Sequence, residues 1–261
     1  MITSENNSQI KNIAKLLKSN KARREQGVFI IEGIKMFLEA KKFGLIEKAY
    51  LSEDLYKEWV RDVSLREINY EVVENKLFKQ ITDTMTPQGV IAVVRMSKVS
   101  IEDVLALDEV RLVFLENLRD PGNLGTIIRT AEGAGMSAVI LSKECVDIYN
   151  PKVVRSTMGS IFRVPFVYVE DIRESMKTAQ EAGTVLYAAH LKGEKFFDEV
   201  EYGKKVGIVI GNEANGLTDA TAKQADSYVK IPMCGKVESL NAAVATSVMM
   251  YEILRQLRRR E

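Results

Sequence analysis

Apolar positions along this chain switch repeatedly between a helical spacing of three to four residues and short continuous runs. Near the start, Ile10, Ile13 and Leu17 fall on one helical face, while Lys11, Lys15 and Lys18 share another at i, i+4 and i+7. VFIIEG at 28 to 33 is a compact apolar run that predicts a buried strand, and IKMFLEAKKFG after it predicts a helix stopped by Gly44. KAYLS, DLYKEWVRD, NYEVVE, KLFKQIT and GVIAVVRM continue the alternation of strand and helix to about Met96. Residues 97 to 109 are only weakly periodic and predict a linker containing a short helix.

From residue 110 the alternation restarts. RLVFLENL, AVILS, FVYV, TVLYAAH, VGIVIG and YVKIP predict strands, separated by helices from about 123, through VVRSTMGS, and over DIRESMKTAQEAG. A long helix from about 239 closes the chain. Strands that are apolar on both faces and alternate with helices predict an α/β fold: a mainly parallel sheet with helices on both faces, preceded by a smaller α/β domain over 1 to 96. The closing helix, LNAAVATSVMMYEIL, is apolar nearly all round and is expected to be buried on more than one side.

With 261 residues, 46% of them hydrophobic and 28% charged, the chain has ample material for two globular domains. No stretch approaches the roughly 18 apolar residues of a membrane span, and MITSENNSQIKN lacks a secretory apolar centre, so a cytoplasmic protein is expected. Two cysteines, Cys145 and Cys234, and one histidine, His190, are too few for a zinc site, so no metal is expected. The net charge is only +1, yet its distribution is uneven. Lys11, Lys15, Lys18, Lys21, Arg23 and Arg24 face Glu5 alone in the first 24 residues, and Arg255, Arg258, Arg259 and Arg260 crowd the last turn. Such clusters attract polyanions, although a solvated face and cations at a helix carboxyl end are the plainer explanations.

Candidate chemistry gathers in three segments: PGNLGTIIRT at 121 to 130, IVIGNEANGL at 208 to 217, and KIPMCGKVESLNAAVA at 230 to 245. Each follows a predicted strand, where ligands of parallel α/β sheets bind. Gly211 and Gly216 permit sharp turns and close backbone approach, and Pro232 with Gly235 turns the chain back toward Leu240. Asn123 is expected at the helix start, capping amides or meeting a substrate, and Leu124, Ile127, Ile128 and Ala131 form a buried stripe that leaves Arg129 outside, where it could pair with Glu132. Ser239 and Asn241 stand where an amino-terminal cap is needed, with Glu238 as a helix-start charge.

Together the three segments resemble, in order, the signature motifs of the SpoU (TrmH-like) branch of the SPOUT methyltransferases. That resemblance implies an enzyme that transfers a methyl group from S-adenosyl-L-methionine to a ribose 2′-hydroxyl in RNA, with 23S ribosomal RNA as the expected substrate and no metal. It implies cofactor binding at Gly211, Ile231 and Leu240, with Asn212, Gly216 and Met233 beside them, and places Asn123, Arg129, Glu213, Ser239 and Asn241 at the catalytic positions. Ala214 stands where the family often has glycine. A trefoil knot in the carboxy-terminal domain and a homodimer with active sites near the subunit interface are likewise implied by the family alone.

A guanidinium stays protonated at neutral pH, with a pKa above about 12, so for Arg129 stabilisation of a forming alkoxide and grip on a phosphate fit better than the role of a literal base. Glu213 is expected to orient Asn123 or Arg129 or to accept the proton, with orientation preferred. The amino-terminal part resembles the SpoU substrate-binding domain, akin to a ribosomal protein fold, and RNA contact is expected at Lys11, Lys15, Lys18, Arg23 and Arg24. Methylation of transfer RNA and a non-catalytic RNA-binding homologue are the alternatives. A nicotinamide oxidoreductase is disfavoured by the lack of GxGxxG after the first strand of either domain.

Overall fold

The computed structural model describes all residues except 61 to 64, 66, 260 and 261. The end of DLYKEWVRD and Arg260 therefore lie outside the described residues. The chain divides into two compact units: Met1–Ser97 with Asp147–Phe162, and Lys98–Val146 with Arg163–Glu261. Among the described residues no helix is long and apolar enough to cross a membrane.

In the first unit α1 (Ser8–Lys18), α2 (Asn20–Gln26), β1 (Val28–Glu32), α3 (Ile34–Lys42), β2 (Ile46–Ser52), α4 (Glu53–Trp59), β3 (Tyr70–Val73), α5 (Asn75–Ile81) and β4 (Val90–Arg95) alternate as the sequence predicts. The sheet order is β1-β4-β2-β3; β4 runs antiparallel to both neighbours and β2 parallel to β3. Gly44 adopts φ +63 just after α3, as a helix stop requires. The basic amino-terminal helix is broken in two, because Ser19 takes an extended conformation and its hydroxyl caps α2 through Ala22 N. Ile10, Ile13 and Leu16 are the buried residues of α1, with Leu17 only partly covered.

The unit also takes in a segment distant in sequence, Asp147–Phe162, which contains α8 (Pro151–Ser156). Its aromatic residues pack on Phe29, whose ring centroid lies 4.6 Å from that of Tyr149 and 6.3 Å from that of Phe162. Burial pushes the Tyr149 phenol well above its ordinary range, so it stays neutral, and its oxygen accepts from Ser97 N at 3.2 Å.

The short helix expected between residues 97 and 109 is α6 (Ile101–Leu105), whose Ile101, Val104 and Leu105 are buried with the main sheet, behind a Ser100–Asp103 capping box. The sheet contains β5 (Val110–Leu115), β6 (Ala138–Ser142), β7 (Phe166–Val169), β8 (Val185–Ala189), β9 (Lys195–Phe196), β10 (Lys205–Ile210) and β11 (Ser227–Lys230). Its order is β7-β6-β5-β10-β8-β11-β9, and every ladder is parallel. The two-residue edge strand β9 is too short to show in the hydrophobic pattern.

Leu112, Phe114, Ala138 and Ile140 turn toward α6 and α9 (Ile172–Glu181), while α7 (Pro121–Gly133) and α11 (Ala242–Leu257) pack over the alternate residues. The helix α10 (Asp219–Gln224) precedes β11. Because β5, β10, β8 and β11 are neighbours in one parallel sheet, their carboxyl ends open on one edge. The three motif segments all leave from that edge.

Candidate active site

At that edge, α7 begins one residue after Asp120. Pro121 occupies the first turn, where its missing N–H costs nothing, and Asp120 Oδ1 accepts from Asn123 N at 2.7 Å. Asp120, not Asn123, is thus the cap, a contribution of about 1 kcal/mol. The Asn123 side chain is left free for other partners. Leu124, Ile127, Ile128 and Ala131 are fully buried, each apolar side chain of Leu or Ile size contributing roughly 1.5–3 kcal/mol, and so fix the rotation of the helix.

Asn123 Nδ2 donates to Glu213 Oε1 at 3.0 Å, and Asn123 Oδ1 accepts from Asn241 Nδ2 at 3.0 Å. Asn241 Oδ1 in turn accepts from Ala243 N at 2.9 Å and Val244 N at 3.3 Å, which makes Asn241 the cap of α11. The polarity of the series is forced: an ionised carboxylate only accepts, and Asn241's oxygen is committed to amides. One residue from each motif is therefore linked in a single directed line. Ser239, expected as a possible cap, lies two residues before the cap and makes no hydrogen bond among the described residues, and Glu238 stands outside the helix.

Glu213 also accepts from Asp120 N at 3.1 Å and Arg119 N at 3.3 Å. Partial burial works against its charge, but hydrogen bonds from Asn123 and from the amides of Glu213, Asp120 and Arg119 outweigh it and hold the carboxyl below its ordinary 4.5. An acid so stabilised is a weak proton acceptor. Its geometry is that of an orienting group.

A cavity of about 440 Å³ opens beside this line, within the range of small-molecule sites. Gly211, Asn212, Gly216, Ile231, Met233 and Leu240 all border it, as do Glu213 and Ser239. The 211–217 segment is a tight turn in which Asn212 and Gly216 exchange backbone hydrogen bonds at 3.0 and 2.9 Å. A Cβ on Gly211 would lie 2.1 Å from Gly216 C and Leu217 N, so no side chain fits there. Gly216 has φ +68. Asn212 spends its amide on backbone, donating to Asn117 O beyond β5 at 2.8 Å and accepting from Ala214 N of its own loop at 2.9 Å, so it shapes the cavity wall.

Arg129 does not border the cavity. It lies six residues beyond Asn123, about 9 Å along the helix, and is exposed, without a hydrogen bond or ion pair among the described residues. Its expected partner Glu132 is engaged instead by Arg163. In the first unit, Lys11, Lys15, Lys18 and Arg24 are exposed, but Arg23 is not available to a ligand. Arg23 is 3% exposed, binds Asp147 Oδ2 at 2.5 Å and donates to Leu16 O at 2.6 Å, closing the carboxyl end of α1. The expectation of RNA contact is corrected at that residue.

Other lining residues carry no motif. Ala189, His190, Leu191 and Lys192, just beyond β8, form one wall, with the His190 ring stacked on Tyr228 at 5.0 Å and its Nδ1 accepting from Lys192 N at 3.1 Å. The usable signal was position: β8 lies between two motif-bearing strands. Among the described residues no group of three or more His, Cys, Asp or Glu could hold a metal ion.

A family model described as the SpoU rRNA Methylase family matches residues 111–251, and one described as the MRM3-like substrate binding domain matches residues 7–92. The chain is 32% identical over 260 residues to the 23S rRNA (guanosine(2553)-2'-O)-methyltransferase RlmP of Bacillus subtilis, covering 97% of this chain and 98% of that protein. The AdoMet-bound rRNA methyltransferase from Sinorhizobium meliloti superposes with a TM-score of 0.85 at 33% identity, covering 98% of this chain and 97% of that one. The SpoU methyltransferase AviRb from Streptomyces viridochromogenes, in complex with the cofactor AdoMet, does so with 0.86 at 27% identity, covering 97% and 98%.

Proposed function

This chain belongs to the SpoU rRNA methylase family, and on that premise we propose that it methylates a ribose 2′-hydroxyl of RNA using S-adenosyl-L-methionine, with 23S ribosomal RNA in the cytoplasm as substrate. The observation that carries the reading is the directed line Asn241–Asn123–Glu213 beside a cavity bordered by all six expected cofactor residues.

The cavity fits the cofactor in kind: its volume suits a nucleoside-sized ligand, and bare Gly211 leaves main chain where a side chain would intrude. Gly211, Asn212, Gly216, Ile231, Met233 and Leu240 would hold S-adenosyl-L-methionine, which supplies an electrophilic methyl group when bound. Glu213, ionised, fixes Asn123, and Asn123 orients the incoming ribose. Arg129, a permanent cation with no partner among the described residues, grips an RNA phosphate and stabilises charge developing on the 2′-oxygen. Ser239, at the cavity wall, offers an uncommitted hydroxyl for positioning.

Residues 1 to 96 serve as the RNA substrate-binding domain, with Lys11, Lys15, Lys18 and Arg24 as its phosphate contacts. The carboxy-terminal domain carries the family's trefoil knot. The protein acts as a homodimer. α7 of the same chain covers the flank of α11 that the sheet leaves open, so less of α11 awaits a partner than its composition predicts. What remains is a stripe of Val244, Val248 and Tyr251, at i, i+4 and i+7. Light scattering should give twice 29.3 kDa in solution, and a monomer mass would refute the dimer.

Mapping ribose methylation across total RNA from cells with and without the gene tests the function. Loss of one 23S 2′-O-methyl mark is expected, and an unchanged map would reject the substrate.

A further inference from the structure

One carboxylate in the second unit is buried without an ion pair among the described residues. Glu116 follows β5 directly, is 6% exposed, and belongs to none of the three motif segments. Its backbone N–H donates to Ile210 O at 2.9 Å, immediately before Gly211. Its side chain reaches the opposite end of the same loop. Oε2 accepts from Thr218 N at 2.7 Å, and Oε1 accepts from Thr218 Oγ1 at 2.8 Å and from Thr221 Oγ1.

A single residue thus fastens both ends of the segment 211–217, every residue of which borders the cavity. A buried carboxylate requires hydrogen-bond donors, and those identified come from Thr218 and Thr221, so the distal end of the loop is drawn to where Glu116 is. The neighbouring backbone strengthens the seam: Asn117 O accepts from Asn212 Nδ2 at 2.8 Å, and the amides of Arg119 and Asp120 reach Glu213.

We propose that Glu116 is a positioning residue for the cofactor pocket: by holding the two ends of the 211–217 loop it sets the width of the cavity, and thereby the affinity for S-adenosyl-L-methionine, without touching the ligand. The proposal rests on the cofactor reading given above. Removing the carboxylate leaves Thr218 N–H and two hydroxyls without their acceptor, and the distal end of the loop drifts. A glutamine can satisfy the same geometry, because its carbonyl accepts from Thr218 N–H while its NH₂ donates to the two hydroxyls.

The test is calorimetric titration of the full-length protein with S-adenosyl-L-methionine alone, beside RNA affinity and turnover at saturating cofactor. Glu116→Ala should weaken cofactor binding about tenfold or more, with RNA affinity unchanged and kcat within about threefold, whereas Glu116→Gln should stay within about threefold of the parent in cofactor affinity. Should Glu116→Ala fail to fold, Thr218→Val against Thr218→Ser decides: the valine should weaken cofactor binding about threefold and the serine should not. Cofactor affinity within twofold of the parent in folded Glu116→Ala, equal defects in the alanine and glutamine variants, or equal affinity of both Thr218 variants and the parent would overturn it. So would a parallel fall in RNA affinity. A parent protein that binds no S-adenosyl-L-methionine would instead bring down the cofactor reading itself.

Discussion

Glu213 and Asn123, ninety residues apart in the chain, share a 3.0 Å hydrogen bond that fixes which end of the Asn123 amide faces the carboxylate. Asn123 must donate there, so its oxygen turns to Asn241, and the amino-terminal ends of α7 and α11 are held in one register. The packing behind them agrees, with Ser247 Oγ donating to Thr130 Oγ1 at 3.2 Å across the two helices.

Breaking that bond should misorient Asn123 before it unfolds anything. Glu213→Gln keeps one acceptor oxygen where donors reach two, Asp120 N and Asn123 Nδ2 at Oε1 and Arg119 N at Oε2, and loses the charge that strengthens these bonds, so turnover should fall by about 10- to 100-fold with cofactor affinity less affected. The folded Glu213 pKa lies below 4.5, so its stabilisation is fully present above 4.5 and is lost as pH falls through the lower folded value. The melting-temperature advantage of the parent over Glu213→Gln should therefore vanish in acid and persist at neutral pH. An advantage independent of pH would show that Glu213 is not held ionised by these bonds.

Gly211→Ala is the smallest change that closes the loop against itself, since even a methyl group meets Gly216 and Leu217 at 2.1 Å. Overpacking of this kind costs about 1–3 kcal/mol and should abolish cofactor binding first. Titration with S-adenosyl-L-methionine checks this; parental affinity would mean that the cofactor binds elsewhere.

Arg129→Ala removes an exposed cation with no partner among the described residues, so thermal stability should change by less than about 0.5 kcal/mol. Turnover should fall by about 10²–10³ with cofactor binding intact. Weakened cofactor binding with normal residual turnover would reverse the assigned role.

On α1, replacing Lys11, Lys15 and Lys18 together with glutamine should weaken RNA binding and flatten its dependence on salt by up to about two to three units of logarithmic slope. Arg23→Gln should act through stability, because it strands Asp147 in a buried site, at about 3–5 kcal/mol. RNA affinity that is identical at every salt concentration in the lysine variant would remove α1 from the binding surface.

Periodicity made the alternation of both sheets readable, and the stripe Leu124, Ile127, Ile128, Ala131 located the buried face of α7 because each residue there answers to a local rule. Contacts between distant segments were not readable. Arg23 looked like one more basic side chain until Asp147 closed over it, and nothing in local pattern assigns Asp147–Phe162 to the first unit. At the start of α7 the cap is Asp120, three residues before Asn123, because Asp120 Oδ1 reaches the Asn123 amide; at α11 it is Asn241, one of the two residues expected there, and not Ser239. The wall at Ala189 to Lys192 went unread because it consists of ordinary strand-end residues, made significant only by the strand order.

The most direct measurement is to incubate the purified protein with methyl-labelled S-adenosyl-L-methionine and 23S ribosomal RNA, then hydrolyse the RNA in alkali. A methylated 2′-oxygen cannot attack its neighbouring phosphate, so the label should appear in an alkali-resistant dinucleotide. Label released in mononucleotides, or no label at all, would contradict ribose methylation by this chain.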